Sequence, residues 1–221
     1  CSNLQRITNG LPETPLIIHH YAFFECKSLK GPLVIPPNVT FLGNSSFYHC
    51  ISLNGHLVIP PNVTFLGSYA FYYCAALTSV VFQPSTTTAT TLRIGQTSFG
   101  SCTGLLSVDL SERIDELEDN VFLCCTALNR VIIRASNIRF NYRVFGGCSS
   151  SLTIEAYPWL YPKIFESINN DSSLMYQNFH QFHHRILREV KFTDDGVVTR
   201  QHPNGRRRRE RQLHKRQRLE G

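Results

Sequence analysis

The chain has 221 residues, of which 42% are hydrophobic and 17% charged, enough apolar material for one sizeable folded domain. No apolar run reaches the roughly 18 residues that a membrane-spanning helix needs, so the sequence excludes a membrane span. The net charge of +6 comes from residues 206–221, since basic and acidic side chains balance in the rest of the chain. The basicity therefore belongs to a terminal segment and not to the body of the chain.

An internal repeat occupies about the first 157 residues. The pattern Phe-x-x-Cys occurs six times, and an apolar residue stands five positions before each Phe. Cys1 fits the same register, so we expect the chain to start inside a repeat and to be a fragment of a longer array. The six pairs are Phe23/Cys26, Phe47/Cys50, Phe71/Cys74, Phe99/Cys102, Phe122/Cys125 and Phe145/Cys148.

A short strand is predicted after each Phe-x-x-Cys. Two apolar residues two positions apart, such as Leu57 and Ile59, recur in every unit, and this period is typical of a strand. One such unit cannot bury its apolar side alone, but stacked units can, with their strands aligned in a parallel sheet. The low-complexity segment from Ser85 to Thr91 lengthens one unit, and we expect it to loop out without breaking the stack.

These units resemble the BspA-like (Treponema-type) leucine-rich repeats, which read approximately I-P-x-x-V-x-x-I-G-x-x-A-F-x-x-C-x-x-L. Residues 59–77 follow that pattern almost position for position, and the resemblance covers about residues 1–157. It implies an α/β-type repeat solenoid with a short parallel β-sheet on its concave face, built from about six units and a partial N-terminal one. It also implies a non-enzymatic module that recognises a protein partner, with no catalytic residue and no cofactor.

One residue of each predicted strand must point away from the core, toward the concave face. Most of these residues are Val or Ile, which favours a mildly apolar binding strip, although β-propensity alone explains the same composition. A strip of about 300 Å² is smaller than the roughly 800 Å² that a standard interface buries per partner, so loops or further repeats must add to it. The column is Thr8, Val34, Val58, Val81, Asp109, Ile132 and Glu155, with Arg130 and Arg134 flanking it.

Seven of the eight cysteines occupy one inward repeat position, and Cys124 alone is out of register. We predict a row of free core thiols, while disulfides or bound metal remain alternatives, because neighbouring units lie about 5 Å apart. His180 and His184 are one helical turn apart, but no nearby glutamate or third ligand completes a zinc site or a hydrolase centre. The sequence therefore predicts no metal site.

The repeat is lost after residue 157. Helical patterns over 160–168 and 174–190 predict a C-terminal cap over 158–192, followed by a disordered basic tail over 193–221. We expect a monomer, and no segment of the sequence assigns a compartment. The alternative function is a nuclear or nucleic-acid-associated protein whose tail binds polyanions. The tail residues that would bind them are Arg206, Arg207, Arg208, Arg209 and Arg211.

Overall fold

The computed structural model describes residues 15–85, 91–169, 190–192 and 198–200. The chain divides into two units, Cys1–Met175 and Tyr176–Gly221. In the described part of the first unit, parallel strands stack turn upon turn into a β-solenoid, and one short helix follows the last turn. The repeat solenoid predicted from the sequence is confirmed.

Eleven strands form the solenoid, and most turns contribute one strand to each of two parallel sheets. One sheet has six strands, in the order β1-β2-β4-β6-β8-β10, and the other has five, in the order β11-β9-β7-β5-β3. In chain order the strands are β1 (Leu16–Ile18), β2 (Val39–Leu42), β3 (Gly55–Ile59), β4 (Phe65–Leu66), β5 (Leu77–Phe82), β6 (Leu92–Ile94), β7 (Ser107–Leu110), β8 (Ile114–Leu117), β9 (Arg130–Ile133), β10 (Arg139–Phe140) and β11 (Thr153–Glu155).

The five-stranded sheet corresponds to the strands that the sequence predicts. Its residues alternate between the core and the outside, so that Val131 and Ile133 of β9 are buried and Ile132 between them is partly exposed. Isolated bridges at Gly31↔Leu53 and Val34↔Val58 continue the pairing into the preceding turn. The side chains between the buried positions therefore form a continuous outer surface.

The six-stranded sheet was not predicted as a sheet. The sequence analysis identified its inward residues, such as Leu42 and Leu66, only as apolar residues five positions before each core Phe. Strands of two to four residues are too short to display a clear alternation of their own, because they contain only one or two periods of two residues. Their pairing becomes apparent only once the turns are stacked.

The core Phe residues form one stack through the solenoid. Adjacent ring centroids along Phe23, Phe47, Phe71, Phe99, Phe122 and Phe145 are 4.9 to 5.6 Å apart, with interplanar angles of 14° or less. The backbone around each Phe donates hydrogen bonds to the following turn, as from Phe23 N to the Ser46 carbonyl at 2.7 Å. Each turn is therefore fixed to the next by both rings and backbone.

The repeat cysteines form a parallel row of buried thiols. The Sγ of each donates to the carbonyl oxygen of the core Phe one turn earlier, at 3.1 to 3.2 Å from Cys50 through Cys148. Burial raises the pKa of Cys50 to about 11 and that of Cys148 to about 12, so both remain protonated donors at neutral pH. The predicted inward position is confirmed for Cys26, Cys50, Cys74, Cys102 and Cys125, which are buried, while the redox state of the row stays a prediction.

Arg113 is a buried cation that the sequence analysis did not single out. Its guanidinium donates from Nε to the Gln83 carbonyl and from Nη2 to the Pro60 carbonyl, both at 2.8 Å, and from Nη1 to the Val63 carbonyl. The side chain thus reaches past the turn that contains the 85–91 insertion. Desolvation lowers the pKa of the guanidinium to about 10, which leaves it charged at neutral pH.

A short helix closes the last turn of the solenoid. A single 3₁₀ turn (Pro158–Leu160) leads into α1 (Tyr161–Asn169), which confirms the first predicted cap helix. The Ser167 carbonyl accepts a hydrogen bond from Arg143 N at 2.9 Å, and its hydroxyl accepts one from Val144 N at 3.2 Å. In earlier turns, the next turn of the solenoid supplies the carbonyl acceptors for these N–H groups. After the last turn, the helix supplies them instead.

The described residues of the second unit are two antiparallel strands, β12 (Val190–Phe192) and β13 (Val198–Arg200). Neither strand was predicted from the sequence. β12 lies at the end of the predicted cap, which ended at residue 192, and β13 lies in the predicted disordered tail over 193–221. The signals for them are alternation with β-branched residues and the Asp195-Gly196 dipeptide between them. The rest of the second predicted helix and of the tail lies outside the described residues.

Candidate recognition surface

The predicted binding residues lie side by side on the outer face of the five-stranded sheet. Strand register pairs Val34 with Val58, Val58 with Val81, Val81 with Asp109 and Asp109 with Ile132, and Glu155 follows next to Ile132. We call this row the recognition strip. Thr8, which the sequence analysis placed in the same column, lies outside the described residues.

The first half of the recognition strip is apolar and open to solvent. Val34 is 55% exposed, Val58 37% and Val81 38%. The Val, Leu and Ile side chains that face the core of this solenoid are almost completely buried, whereas these three valines face outward and are exposed. Beside them, His56 and Ser79 hydrogen bond to each other across neighbouring strands and form a polar margin.

The second half of the recognition strip is charged, and its charges pair within the chain. Arg134 binds both carboxylate oxygens of Asp109, at 2.8 and 2.7 Å, and Arg130 contacts Glu155 at 3.1 Å. The hydrogen bonds with Asp109 raise the pKa of Arg134. Because bidentate pairs have a fixed geometry, this half offers a partner an ordered pattern of charge instead of loose single charges.

The outer face of the six-stranded sheet shows the same division, which the sequence analysis missed. The outward row begins with Ile17, Phe41 and Phe65, whose two Phe rings stack with centroids 5.2 Å apart. It continues with Arg93, Glu116 and Arg139, which alternate in charge and form ion pairs with one another and with neighbouring carboxylates. Acidic side chains thus lie on the outer faces of both sheets, Asp109 on the five-stranded sheet and Glu116 on the six-stranded sheet.

This division has a counterpart in the sequence. Residues 31–92 contain no Asp, Glu, Lys or Arg, although they span more than two turns of the solenoid. Exposed apolar side chains are concentrated in the turns before the insertion, and ion pairs dominate after it. A count of charged residues along the sequence could have shown this division. Which of the outward side chains lie next to each other could be seen only from the strand register in the structure.

The described part of the chain holds no cluster of three or more His, Cys, Asp or Glu side chains that could bind a metal ion. In the same part, no helix is long and apolar enough to cross a membrane. Several predicted candidates lie outside the described residues. They are His180, His184, Arg206, Arg207, Arg208, Arg209 and Arg211.

The repeat geometry agrees with a match to a known family. Six copies of the BspA type leucine rich repeat region match the chain, over residues 1–92 and 85–189. The chain belongs to the BspA-type leucine-rich repeat family. The family model extends past residue 157, where the recognisable repeat ends in the sequence. No curated protein sequence matches the chain.

Solved structures of bacterial repeat proteins resemble this chain. A leucine-rich repeat protein of Treponema pallidum is 26% identical with a TM-score of 0.55, and the match covers 67% of this chain and 65% of that one. A leucine rich cell surface protein of Faecalibacterium prausnitzii is 21% identical with a TM-score of 0.34, covering 79% of this chain and 65% of that one. This chain therefore spans about 65% of the length of either protein.

Proposed function

We propose that this chain is a non-enzymatic module that binds a protein partner through the recognition strip. One observation supports the proposal above the others: strand register brings the exposed Val34, Val58 and Val81 into one row beside the paired Asp109 and Arg134. An apolar core with a polar, geometrically fixed margin is the usual composition of a protein interface. The predicted concave curvature of this face would bring the partner into contact with several turns at once.

The two halves of the strip have different roles in this proposal. Burial of the three valines supplies affinity, at about 25 cal/mol for each Å² of apolar surface removed from water. The ion pairs Arg134–Asp109 and Arg130–Glu155 supply specificity, because a partner must match their charge pattern or lose hydration without compensation. Ile132 lies between these pairs and extends the apolar contact into the charged half.

The test compares the full chain with a variant that carries Val34→Glu, Val58→Glu and Val81→Glu. A partner is first isolated by affinity capture and identified, and its binding to the purified chain is then measured by titration calorimetry. The proposal predicts that the triple variant weakens binding at least about a hundredfold, since three carboxylates would have to be desolvated at the contact. Circular dichroism establishes that the variant is folded.

A matched control places the same charges elsewhere. Ile51 and Phe165 are 38% and 37% exposed and lie outside the strands of the five-stranded sheet, so Ile51→Glu with Phe165→Glu should leave binding unchanged. A second control replaces the arginines of the tail at 206–209 and 211 with Gln. Equal binding by the valine variant and the unaltered chain would refute the proposal, and loss of binding in the tail variant alone would transfer the activity to the tail.

A further inference from the structure

Exposed aromatic side chains of the described residues occur in two groups, one in the first three turns and one between residues 142 and 165. The first group lies near the core Phe positions of its turns, outside the recognition strip. Tyr21 is 62% exposed, Tyr73 43% and Phe24 40%. The next turn carries Gly100 and Ser101 at the positions of Tyr72 and Tyr73. We call this cluster the aromatic patch. Its members are Tyr21, Phe24, Tyr48, His49, Tyr69, Tyr72 and Tyr73.

The rings of the aromatic patch have two orientations. Phe24, Tyr48 and Tyr72 form a stack parallel to the core Phe stack, with centroids 4.8 and 5.2 Å apart and interplanar angles of 10° and 21°. Tyr21 and Tyr69 stand edge-on against this stack, at 64° to Phe24 and 71° to Tyr72 respectively. The surface therefore offers rings in two nearly perpendicular orientations.

The aromatic patch is held in place before any partner arrives. Tyr21 N donates to the Asn44 carbonyl and Tyr69 N to the Gln96 carbonyl, both at 2.9 Å, so the backbone under each Tyr is fixed to the next turn. Tyr21 and Tyr69 also share a left-handed backbone conformation, with φ of 59° and 58°. Little conformational freedom is left to lose on binding, which favours tight association.

The aromatic patch is nearly free of charge. The formal charges of the described residues in its turns are Glu25, Lys27 and Lys30. Glu25 occupies the repeat position of His49 and Tyr73, and its carboxylate lies 3.7 Å from His49 Nδ1 and 3.4 Å from Lys27 Nζ. Residues 31–92 contribute none. A polyanion or a strongly charged protein would lose hydration here without gaining an ion pair, so the surface favours a neutral occupant.

We propose that the aromatic patch is the two-fold interface of a homodimer, in which a second copy of this chain binds through the same patch. A two-fold contact sets a surface against itself, so the surface must be self-complementary. Glu25 pairs with Lys27, which limits like-charge repulsion between the copies, and perpendicular rings supply both the edges and the faces that aromatic contacts prefer. A patch with rings in one orientation would not provide both partners of that contact.

The size of the patch fits a dimer. An aromatic side chain buries about 150–250 Å². Four members are 38–62% exposed and the other three are half-buried, so the patch offers about 350–600 Å² per copy. Two copies together would bury about 700–1,200 Å², which reaches the lower end of the range for specific interfaces. The recognition strip, at about 300 Å², lies on the sheet face and is left open, so the dimer would present two strips to a partner.

The test measures the mass of the full chain by sedimentation equilibrium over a dilution series. The test variant carries Tyr21→Asn, Tyr69→Thr and Tyr73→Ser. Thr97 and Asn120 occupy the repeat position of Tyr21 and Tyr69, and Ser101 occupies that of Tyr73, with φ of 54°, 59° and 57°, so these substitutions suit the backbone. We expect a dimer for the unaltered chain and a dissociation constant at least about a hundredfold weaker for the variant.

A matched variant, Val58→Thr with Val81→Thr, removes apolar surface from the recognition strip and should keep the dimer. Because Glu25 is paired with Lys27 within its own copy and the patch members are uncharged rings, the dimerisation constant should change less than about twofold between low and high salt. A monomeric unaltered chain at every concentration overturns the proposal, as does a dimer that persists in the tyrosine variant. Binding of a neutral oligosaccharide or of another protein at the patch of a monomeric chain overturns it as well.

Discussion

Arg113 shows how one side chain compensates for an irregular turn. The insertion at 85–91 lengthens its turn, and the guanidinium reaches past that turn to carbonyl groups of residues 60 and 63 as well as that of Gln83. A buried cation is costly unless hydrogen bonds satisfy it, and three carbonyl acceptors meet that requirement here. No acidic side chain is needed as a direct partner, although the nearby Glu112 favours the charged form.

Replacement of Arg113 by Met should destabilise the solenoid by about 2–4 kcal/mol. The substitution keeps most of the apolar stem but leaves three carbonyl groups without their donor. Urea unfolding followed by circular dichroism measures the change. As a control, Arg139→Met removes a side chain that is 67% exposed and paired only at the surface, and it should cost less than about 1 kcal/mol. Equal effects of the two substitutions would contradict the role assigned to Arg113.

Sequence patterns predicted the five-stranded sheet, the core Phe stack and the row of thiols, because each depends on a residue type that recurs once per turn. They did not predict the six-stranded sheet, whose strands at Phe65–Leu66 and Arg139–Phe140 are too short for alternation to be visible. Arg113 was missed for another reason. Its acceptors are backbone carbonyls about 30 to 53 positions away in the chain, and no local pattern encodes such contacts.

The outward residues show the same limit. Val34, Val58 and Val81 could be placed in one column from their spacing, and the fold aligns them as neighbours. That Arg134 and Arg130 pair with Asp109 and Glu155 could not be read from the sequence, because the partners lie one turn apart and their rotamers depend on the stacked sheet. The sequence thus indicated which side chains face outward on this sheet, and the structure showed which of them contact each other.

The core Phe stack should be more sensitive in its middle than at its end. Phe71 stacks on both Phe47 and Phe99, at 5.0 and 5.4 Å, whereas Phe145 stacks on Phe122 alone within the described stack. We expect Phe71→Leu to cost about 1 kcal/mol more than Phe145→Leu, which is the contribution of one aromatic pair. Thermal and urea unfolding of both variants provide the comparison. A larger loss from Phe145→Leu would mean that ring stacking adds little to the stability of this core.

At the scale of the whole molecule, the thiol row couples stability to alkaline pH. The pKa of Cys50 is raised to about 11 in the folded chain against 9.0 for an unperturbed thiol, so the folded state holds this proton more tightly. The stabilising contribution is complete below about pH 9 and is lost as the pH rises toward 11. The free energy of unfolding should therefore fall by up to about 1.4 kcal/mol per pH unit for each such thiol.

Chemical denaturation between pH 7 and pH 10.5 tests this dependence. Cys50→Ala removes one of the titrating thiols, and the fall in the free energy of unfolding above pH 9 should become less steep. Cys124→Ala is the matched control, since Cys124 is exposed and out of the buried row. If both substitutions leave the slope unchanged, the buried thiols do not govern the alkaline response.

The molecule also separates its surfaces along the chain. Apolar and aromatic side chains are concentrated before the insertion, and ion pairs such as Arg93–Glu118 and Arg139–Glu116 follow it. The first three turns therefore carry two separate surfaces that can bind other molecules. The recognition strip lies on the five-stranded sheet, and the aromatic patch lies near the core Phe positions of these turns. A protein partner and a second copy of the chain could then bind at the same time, since the two contacts use different residues.

The helix at the end of the solenoid limits the end-to-end association of one solenoid with another. In a stack of identical turns, the last turn would present the N–H groups of Arg143 and Val144 to any other solenoid that approached end to end. Both groups already donate to Ser167, so a second molecule finds no template for hydrogen bonding at these two positions. A single serine on one short helix thus protects this part of the edge against fibre formation.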